Sequence, residues 1–558
     1  MPVTANSAPA SENVARHGAV VTTARQRLRS LTPYVAPAAL ALIVGGMAAI
    51  MFASRQPGHW WGDDWALYLR QANGLLDGDP AMVIDTNRFT VEMSRGAVFS
   101  PPLYPWGFPL ILAPFVAVLG NDLDRLTIVP VLSACVFACA WYLLAKSRIG
   151  TLAALTGVVA VTLTPLLLDW TELIQSEWPF MAVTAVVLVG LDRAAACGVL
   201  TQTDGAIVPL IGLGVGAAAA FSVRREGLAI VAAIAAAQVA ALIAVRGQRW
   251  WHDRSASRSM VFRLLLPHTT ALLTVELLQL LLPSALVPHY PGAGISNVWR
   301  LVGDHVDRLA DVAGLRRSWE SNPTVFDNVA LGWIAVCAYL LLATVGIALA
   351  VTRNRRRDLH LVAYAVVALV IGGSFPVSLD RYMCTVAPLL MLLAAVALRT
   401  LLRNRRLPLL PTIVVTLAFA AIVAGNLGHA NLRVDRATAF AEQRQIEWGP
   451  THPDAVAMFE AVIEFTDDDD VVAAPKARAM AFETGRLSVQ FDAYHPMPTK
   501  IEPDLFVTET DAEQTNLLLG QPERFTVVWR NSRFVLFQTS SAAKAATNGV
   551  GSSSTASP

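Results

Sequence analysis

Residues 329–352 read Val329-Ala-Leu-Gly-Trp-Ile-Ala-Val-Cys-Ala-Tyr-Leu-Leu-Leu-Ala-Thr-Val-Gly-Ile-Ala-Leu-Ala-Val-Thr352. No charged side chain interrupts this run, and Arg353-Asn-Arg-Arg-Arg357 follows it directly. As a helix it would be about 36 Å long, more than the roughly 30 Å of a bilayer's hydrocarbon core. The stretch is therefore predicted to be a membrane-spanning helix that ends at a cluster of arginines.

The composition of the whole chain fits a protein with many such helices. Of its 558 residues, 54% are hydrophobic and only 15% are charged, whereas about 25% are charged in a typical soluble domain. This excludes an ordinary soluble enzyme and a disordered chain. Lys and Arg number 43 against 42 Asp and Glu, so no attraction to nucleic acid is implied. The five cysteines form no CxxC pair, which predicts neither a zinc site nor a disulfide framework.

Ten further apolar segments bring the predicted number of membrane helices to eleven. They cover residues 34–53, 126–145, 151–168, 178–191, 205–223, 227–245, 264–287, 361–379, 382–398 and 407–428. The segment 107–119 is too short to cross a bilayer and contains two prolines, so we expect it to be interfacial or re-entrant.

The distribution of basic residues sets the predicted orientation, because cytoplasmic loops are enriched in Lys and Arg. With the N-terminus in the cytoplasm, the inner segments hold 20 Lys and Arg in 85 positions, and the outer segments hold 12 in 127. Eleven crossings then leave the C-terminal part outside. The predicted localisation is the plasma (inner) membrane, with a cytoplasmic N-terminus and an extracytoplasmic C-terminal domain.

This topology predicts four regions: a cytoplasmic tail 1–33, a polytopic membrane domain 34–428 with a large first external loop at 54–125, an extracytoplasmic domain 429–540 and a disordered tail 541–558. The sequence of the extracytoplasmic domain predicts helices at 453–466 and 476–483 that alternate with strands at 471–474, 487–491, 504–507, 525–529 and 534–538. Such alternation is typical of a small α/β domain. Its basic residues Lys476, Arg478 and Arg486 are expected on a solvated surface; the alternative is that they face the membrane and touch phosphate.

Carboxylates and arginines collect on the outer side of the predicted topology. They are Asp63, Asp64, Asp169, Glu172, Glu177, Arg224, Arg225, Glu226, Asp380 and Arg381. One such charge at a helix end can be a simple membrane anchor. Convergence of many from at least five separate loops or helix ends indicates a functional site.

The first loop contains His59-Trp-Trp-Gly-Asp-Asp-Trp-Ala-Leu-Tyr68, followed by apolar residues at helical spacing. This pattern predicts an amphipathic helix that lies on the membrane and begins near Asp64, with Asp63 or Asp64 as its cap or as a functional carboxylate. Trp60, Trp61, Trp65 and Trp106 are expected at the depth of the lipid headgroups, or flanking a sugar or a lipid tail.

The motif Asp64-x-x-x-Tyr68-x-x-x-Ala72 after the first membrane helix, followed by Tyr104-Pro-Trp-Gly-Phe-Pro-Leu110, resembles the GT-C superfamily of polytopic glycosyltransferases. Ser176-Glu-Trp-Pro-Phe180, Arg224-Arg-Glu-Gly227 and Asp380-Arg-Tyr382 add to this resemblance, which spans roughly residues 30–400. The chain is most similar to the bacterial branch that includes protein O-mannosyltransferases and aminoarabinose transferases.

The resemblance implies a GT-C-like fold and a catalytic carboxylate in the first outer loop. Alignment on Tyr68 assigns this role to Asp64, whereas alignment on the acidic pair assigns it to Asp63; Asp64 is slightly favoured. The implied chemistry needs arginines at the donor phosphate, for which Arg381, Arg225 and Arg224 are the candidates. The candidates for orienting substrate are Tyr68, Glu177 and Tyr382. For Arg381 the alternative is a helix-end anchor or an ion pair with Asp380. For Arg224 and Arg225 the alternative is membrane anchoring or an ion pair with Glu226. For Glu177 it is a charge at the N-terminus of a helix.

The implied function is transfer of a sugar from a polyprenyl-phosphate donor to an extracytoplasmic glycan, lipid or protein, with inversion of configuration and a first-loop Asp as general base. The alternative is a transporter or flippase for a lipid-linked substrate, although no paired repeat is evident. No cofactor is firmly implied. A divalent metal at Asp77-Gly-Asp79 is possible in principle, but the Gly-Asp-Pro context favours a turn.

Overall fold

The protein is described by a computed structural model, which covers residues 34–95, 103–201, 206–244, 254–283, 293–315, 329–403, 407–443, 446 and 448–540. The predicted tails 1–33 and 541–558 lie outside these described residues. A helical membrane part comes first in the chain and a small mixed α/β domain comes last, with the first loop between them in space.

The membrane part is built from helices. In chain order they are α1 Tyr34–Ala53, α2 Asp64–Asp77, α3 Pro80–Met93, α4 Gly107–Leu119, α5 Leu123–Leu126, α6 Ile128–Ile149, α7 Thr151–Thr162, α8 Pro165–Asp169, α9 Glu177–Ala196, α10 Val208–Val223, α11 Ala229–Ala244, α12 Arg254–Leu281, α13 Ile295–Arg300, α14 Val302–Val312, α15 Val329–Thr352, α16 Arg355–Gly373, α17 Val386–Leu401 and α18 Leu410–Gln443.

Each of the eleven predicted apolar segments contains a helix, but their number as membrane crossings is not confirmed. Among the described residues, seven helical spans are long and apolar enough to cross a membrane, or eight if a bent pair counts as one. The seven are Tyr34–Ala53, Leu123–Ile149, Glu177–Ala196, Arg225–Ala244, Arg258–Leu281, Leu331–Thr352 and Leu410–Gln443. These spans make the chain an integral membrane protein.

Three of the four remaining segments fall short for identifiable physical reasons. Helices α10 and α17 have 16 residues each, about 24 Å of helix against a core of roughly 30 Å. Helices α7 and α8 meet at an angle of 63°. The break comes at Thr164, which is extended because Pro165 follows it.

Small residues allow these helices to pack closely, as is common in membrane proteins. A Cβ at Gly346 of α15 would lie 2.3 Å from the carbonyl oxygen of Leu393 in α17. A Cβ at Gly214 of α10 would lie 2.5 Å from the carbonyl oxygen of Pro267 in α12. At both helix crossings, therefore, one backbone approaches the other at a distance that only glycine permits.

Helix α9 is held at its C-terminal end by a buried ion network. Arg148 of α6 donates to Asp192 of α9 at 2.6 Å and to Asp358 of α16 at 2.7 Å. The side chains of Arg148 and Asp358 are each 1% exposed. Glu177 begins the same helix, about 22 Å from Asp192 along the axis, so this network fixes the helix that carries a candidate site residue.

The predicted first-loop helix is α2, and it begins at Asp64 as expected. Its surroundings differ from the prediction. Its apolar face is covered by α3, α4 and a helix of the C-terminal domain, so protein takes the place expected for the membrane surface. Of the four tryptophans expected at headgroup depth, only Trp60 is exposed; Trp61, Trp65 and Trp106 are buried. The C-terminal domain packs on Trp61 and Trp65, and Trp106 donates to the carbonyl oxygen of Pro283 in the membrane part at 2.7 Å.

The C-terminal domain has the α/β alternation that the sequence predicts. Its helices are α19 Pro453–Phe465, α20 Ala477–Thr484 and α21 Glu513–Leu519, of which α21 was not predicted. Its strands are β1 Val471–Ala474, β2 Leu487–Gln490, β3 Leu505–Glu509, β4 Phe525–Arg530 and β5 Phe534–Thr539, in the order β2-β1-β3-β5-β4. Strand β1 is parallel to β2 and β3, whereas β5 is antiparallel to β3 and β4.

Helix α18 carries the chain from the membrane part toward this domain. Its 34 residues extend over about 51 Å, well beyond the thickness of a bilayer core. The helix runs through residue 429, where the sequence places the domain boundary, and the first helix of the folded domain begins at Pro453. The domain then packs back on the first loop; for example, the Gln490 backbone N–H donates to the Ser94 hydroxyl at 2.8 Å.

Gly449 of the linker between α18 and α19 makes the tightest of these approaches. Its φ is +109°, and a Cβ built on it would lie 1.6 Å from the carbonyl oxygen of His59 in the first loop. We expect Gly449→Ala to destabilise the protein by about 3 kcal/mol or more, because the substitution adds backbone strain and separates the linker from the loop. The measurement is the apparent melting temperature in detergent.

Gly485 provides the matched control for this prediction. It also has a positive φ, +73°, but an added Cβ would meet nothing within 4 Å. Gly485→Ala therefore adds strain without a collision and should cost about 1–2 kcal/mol. Equal melting temperatures for the two variants would show that the contact between Gly449 and His59 does not contribute to the fold.

Candidate active site

Asp64 lies at the N-terminus of α2, where two segments distant in sequence reach it. Its Oδ2 accepts a hydrogen bond from Arg381 Nη1 at 2.7 Å, and its Oδ1 accepts one from the Tyr104 hydroxyl. Arg381 belongs to the short 3-10 turn Asp380–Tyr382 between α16 and α17. Arg381 and Asp64 are 317 positions apart in the sequence, so only the tertiary fold brings them together.

Arg381 also connects Asp64 to a deeper group of charges. Its Nε donates to Glu177 Oε1 at 2.6 Å, and Arg224 Nη1 donates to the same oxygen at 2.7 Å. Arg224 in turn binds Glu226 Oε1 at 2.8 Å. Acidic and basic groups thus alternate in one chain of ion pairs, Asp64–Arg381–Glu177–Arg224–Glu226, which we call the ion-pair cluster.

Two tyrosines border this cluster. The Tyr68 hydroxyl, one turn along α2 from Asp64, donates to Ser176 Oγ at 3.1 Å, and Arg224 donates to the same oxygen at 3.2 Å. The Tyr382 ring lies 6.0 Å from the guanidinium carbon of Arg224 and stacks on Phe375 with 4.3 Å between ring centroids. Both tyrosines predicted to orient a substrate therefore lie against the cluster.

The cluster is closed at one end and open at the other. The side chains of Glu177 and Arg224 are 1% and 9% exposed, whereas those of Asp64 and Arg381 are 18% and 25% exposed. A molecule arriving from solvent would therefore meet Asp64 and Arg381 first. Glu177 Oε2 is buried and has no hydrogen-bond partner among the described residues, although its other oxygen receives two guanidinium groups.

The electrostatics favour the ionised form of these groups. Burial raises the pKa of Asp64, but the charge of Arg381 and the hydrogen bonds from Tyr104 and Arg381 outweigh it, so the pKa is lowered overall. Burial lowers the pKa of Arg381, but the charges of Glu177 and Asp64 raise it well above its usual value. Asp64 and Arg381 are thus a charged pair at neutral pH.

Asp63 has different partners from its neighbour. Its Oδ1 accepts a hydrogen bond from the backbone N–H of Ala479 at 3.1 Å, in the first turn of α20. Burial raises the pKa of Asp63, and the charge of Arg478 together with the Ala479 N–H only partly offsets this. Asp63 therefore connects the first loop to the C-terminal domain, whereas Asp64 faces the arginines of the membrane part.

Arg478 contradicts the expectation of a solvated surface residue. Its side chain is 1% exposed and donates to Asn87 Oδ1 at 2.9 Å and to the Tyr104 hydroxyl at 3.0 Å. Its Nη1 lies 4.0 Å from Asp64 Oδ1. The expectation was wrong because α20 docks on α2, which removes the outer face of α20 from water. The C-terminal domain thus contributes a cation beside the ion-pair cluster.

The other predicted charges have separate environments. Arg225 extends over the Phe221 ring, with 4.5 Å from its guanidinium carbon to the ring centroid. Asp380 lies 3.5 Å from Arg308, so the alternative of an Asp380–Arg381 pair is not what the structure contains. Asp169 and Glu172 both bind Arg433 of α18. These residues belong to neighbouring contacts rather than to the Asp64 end of the cluster.

The Asp77-Gly-Asp79 segment, which the sequence analysis considered as a divalent metal site, has an ordinary structural environment. Asp79 Oδ1 accepts a hydrogen bond from the Met82 N–H at 3.1 Å and so caps α3, and Gly78 ends α2 in the left-handed region. Within the described ranges, no group of three or more His, Cys, Asp or Glu side chains is arranged to hold a metal ion.

Sequence reasoning assigned no role to Tyr104, and for Arg478 it favoured a solvated surface over contact with phosphate. Tyr104 lies within a quoted motif, so the motif itself was the available signal. Arg478 gave no signal, because nothing in its local sequence indicates that α20 will pack against α2. The sequence also left open which of Asp63 and Asp64 faces the site.

Comparison with known proteins bears on the fold. No family model matches the chain, and no curated protein matches it significantly in sequence. Its structure is similar to that of ArnT from Cupriavidus metallidurans bound to undecaprenyl phosphate, with a TM-score of 0.50 and 13% identity over 90% of this chain and 98% of that one. The similarity over nearly the full length of both chains confirms the GT-C fold that the motifs suggested.

Two other solved structures are more distant. The oligosaccharyltransferase of Archaeoglobus fulgidus, tethered to an acceptor peptide, has a TM-score of 0.47 and 11% identity over 86% of this chain and 69% of that one. The arabinosyltransferase EmbB of Mycobacterium smegmatis has a TM-score of 0.37 and 16% identity over 74% of this chain and 38% of that one.

Proposed function

We propose that the protein is an integral-membrane glycosyltransferase that moves a sugar from a polyprenyl-phosphate donor to an extracytoplasmic glycan, lipid or protein. The observation that carries this proposal is the open end of the ion-pair cluster, where a carboxylate and a guanidinium lie side by side. The GT-C fold supports it, and ArnT, which shares that fold, was solved with undecaprenyl phosphate bound.

In this proposal Asp64 is the general base. An acceptor hydroxyl attacks the anomeric carbon of the sugar, and Asp64 takes the hydroxyl proton as the new carbon–oxygen bond forms. The bond between the anomeric carbon and the phosphate oxygen breaks, and the lipid phosphate leaves with the electron pair. Attack from the side opposite the phosphate inverts the configuration of the sugar. Asp64 is preferred to Asp63 because its carboxylate accompanies Arg381, whereas Asp63 binds the Ala479 backbone.

Arg381 is the preferred donor to the leaving phosphate. It is the more exposed arginine of the cluster, and guanidinium groups donate paired hydrogen bonds to phosphate oxygens. Arg224 lies behind it, already bound to Glu177 and Glu226, and would add positive charge without direct contact. We keep Arg225, which directly follows Arg224 in the sequence, as a third candidate.

Arg381 links donor binding to the basicity of Asp64. A phosphate that accepts hydrogen bonds from Arg381 competes with Asp64 for the same guanidinium. Since Arg381 is a main cause of the lowered pKa of Asp64, its engagement with phosphate would raise that pKa and strengthen the base. Glu177, which binds Arg381 through one oxygen, would hold the guanidinium in position, while Tyr68 and Tyr382 would border the sugar.

The proposed reaction takes place on the outer side of the membrane. The excess of Lys and Arg in the predicted inner loops supports a cytoplasmic N-terminus and an extracytoplasmic C-terminal domain. The site would then lie where polyprenyl-linked sugars are presented to cell-envelope acceptors.

The experiment is a transfer assay with the purified full chain in liposomes. It supplies radiolabelled polyprenyl-phosphate mannose, arabinose, galactose and glucose in turn, with a crude cell-envelope fraction as acceptor. We expect one or more lipid-linked sugars to label the acceptor, with one polyprenyl phosphate released per sugar transferred. Nucleotide-linked forms of the same sugars are the control and should give no label.

The same assay distinguishes the transporter. In the absence of acceptor, movement of the labelled lipid across the bilayer is followed with a membrane-impermeant reagent. If lipid donors moved rapidly across the bilayer and none of them labelled an acceptor, the transferase hypothesis would be contradicted and the flippase hypothesis would be supported.

A further inference from the structure

A second concave site lies beside the ion-pair cluster. Where the first loop, the linker and the C-terminal domain meet, they form an open cleft of about 360 Å³, within the range of ligand-binding clefts. The residues that line it include Trp61, Trp448, His452, Glu509, Asp511 and Arg533. None of the proposed catalytic residues lines it.

Two tryptophans give this cleft its apolar surfaces. Trp61 is buried and packs between Phe459 and Phe534, with ring centroids 6.2 and 6.1 Å away, so it forms a rigid floor. Trp448 is 45% exposed at the rim, with the guanidinium carbon of Arg533 5.7 Å from its ring centroid. Rigid aromatic rings in an open cleft suit the flat C–H faces of sugar rings.

Polar groups that line the cleft match sugar hydroxyls. Glu509 and Asp511 are exposed in the cleft, and carboxylates accept hydrogen bonds from hydroxyls. Thr510 Oγ1 is buried and has no partner among the described residues. His452 Nδ1 accepts the Asp454 N–H at 3.1 Å, which leaves Nε2 as a donor.

The charges of the cleft favour a neutral ligand. Glu509 and Asp511 line it together with one guanidinium, that of Arg533, which lies 4.0 Å from Asp454. A chain of acidic sugars would bring further negative charge beside these carboxylates. A neutral sugar chain would donate hydrogen bonds from its hydroxyls to the Glu509 and Asp511 carboxylates without this repulsion.

The cleft is also close to the proposed base. Trp61 is three residues before Asp64, so their Cα atoms are at most about 11 Å apart. A sugar chain that rests on Trp61 and Trp448 can therefore place its end near Asp64.

We infer that this cleft is a binding site for a neutral oligosaccharide, the acceptor glycan of the proposed transferase. The inference rests on the proposed function for the role of the glycan as acceptor, but binding itself does not require the reaction. It narrows the acceptor from glycan, lipid or protein to a substrate with a neutral sugar chain near the accepting hydroxyl.

The test measures binding to the full chain in detergent, without any lipid donor. The probes are hexasaccharides of mannose, galactose, glucose and arabinose, with hexagalacturonate as an anionic counterpart, and the readout is saturation-transfer NMR followed by titration. We expect at least one neutral hexasaccharide to bind and hexagalacturonate to bind at least tenfold more weakly. Trp448→Ala should weaken the neutral probe about tenfold, and Glu509→Gln combined with Asp511→Asn should weaken it similarly.

Tyr494→Ala is the matched control, because Tyr494 is 86% exposed on the same domain and does not line the cleft. It should bind as the wild type does. The inference is overturned if no neutral hexasaccharide binds the wild type, if hexagalacturonate binds equally well, or if both cleft variants, shown to be folded by their melting curves, bind with wild-type affinity.

Kinetics separate the inference from the proposed function. In the transfer assay, Trp448→Ala should raise the KM for acceptor about tenfold and change kcat less than twofold. An unchanged KM would overturn the inference and leave the transferase intact. If the protein bound a hexasaccharide but transferred no sugar, the proposed transferase function would be contradicted, whereas the inferred binding site would still be supported.

Discussion

Asp64→Asn should lower kcat for sugar transfer by about 10² to 10⁴-fold, the range that a positioned general base contributes. The amide keeps the size of the carboxylate and can still accept a hydrogen bond from Arg381, but it cannot take the acceptor proton. Donor binding should persist, because the arginines remain. The measurement is single-turnover transfer from the lipid donor found active with the wild type, together with the donor Kd.

Asp63→Asn is the matched control for this substitution. Its carboxylate binds the Ala479 N–H at the contact between the first loop and α20, so the amide should alter domain docking more than chemistry. We expect kcat within about tenfold of the wild type and a lower apparent melting temperature. If Asp64→Asn retained wild-type kcat while Asp63→Asn lost it, the assignment of the base would be reversed. If both retained it, the base would lie elsewhere.

Arg381→Ala should reduce kcat/KM by about 10² to 10³-fold, comparable to the loss of one donor to a developing negative charge. Arg381→Lys keeps the charge but not the paired donors that reach Asp64 and Glu177, and it should recover only part of the activity. Loss of Arg381 also removes a main cause of the lowered pKa of Asp64. The acidic limb of the residual pH–rate profile should therefore move to higher pH.

Arg308→Lys is the control for this prediction. Arg308 is 22% exposed, close to the 25% of Arg381, and it lies beside Asp380 of the same 3-10 turn. Because its partners are outside the ion-pair cluster, kcat/KM should stay within about threefold of the wild type. A pH–rate profile of Arg381→Ala with an unmoved acidic limb would contradict the coupling between Arg381 and the base. Wild-type kcat/KM in Arg381→Lys would contradict the need for paired donors.

Most of the secondary structure could be predicted from the sequence. The apolar segments contain helices because uninterrupted apolar side chains favour a helix in lipid. In the C-terminal domain, strands such as Val471–Ala474 and helices such as Ala477–Thr484 lie within a residue or two of the predicted segments. The number of crossings was less predictable, because breaks such as that before Pro165 depend on how the chain packs afterwards.

The site could be predicted in part. Topology alone brought Asp64, Glu177, Arg224 and Arg381 to one side of the membrane part, and the structure joins them through shared hydrogen bonds. Topology could not separate Asp63 from Asp64, since adjacent residues at a helix start point about 100° apart. Which of them faces the arginines depends on how α2 is oriented by its neighbours.

By itself, the sequence determined that this chain is a helical membrane protein with a small α/β domain, because hydropathy and periodicity act over short stretches of chain. Only the tertiary structure decided that Tyr104 and Arg478 adjoin Asp64, that the tryptophans of the first loop are buried, and that a cleft opens beside Trp61 and Trp448. The position of Arg478, the burial of Trp61 and Trp65, and the cleft depend on the C-terminal domain docking on the first loop, whereas Tyr104 reaches Asp64 from within that loop. That docking joins surfaces hundreds of residues apart, and no local pattern of side chains specifies such a contact.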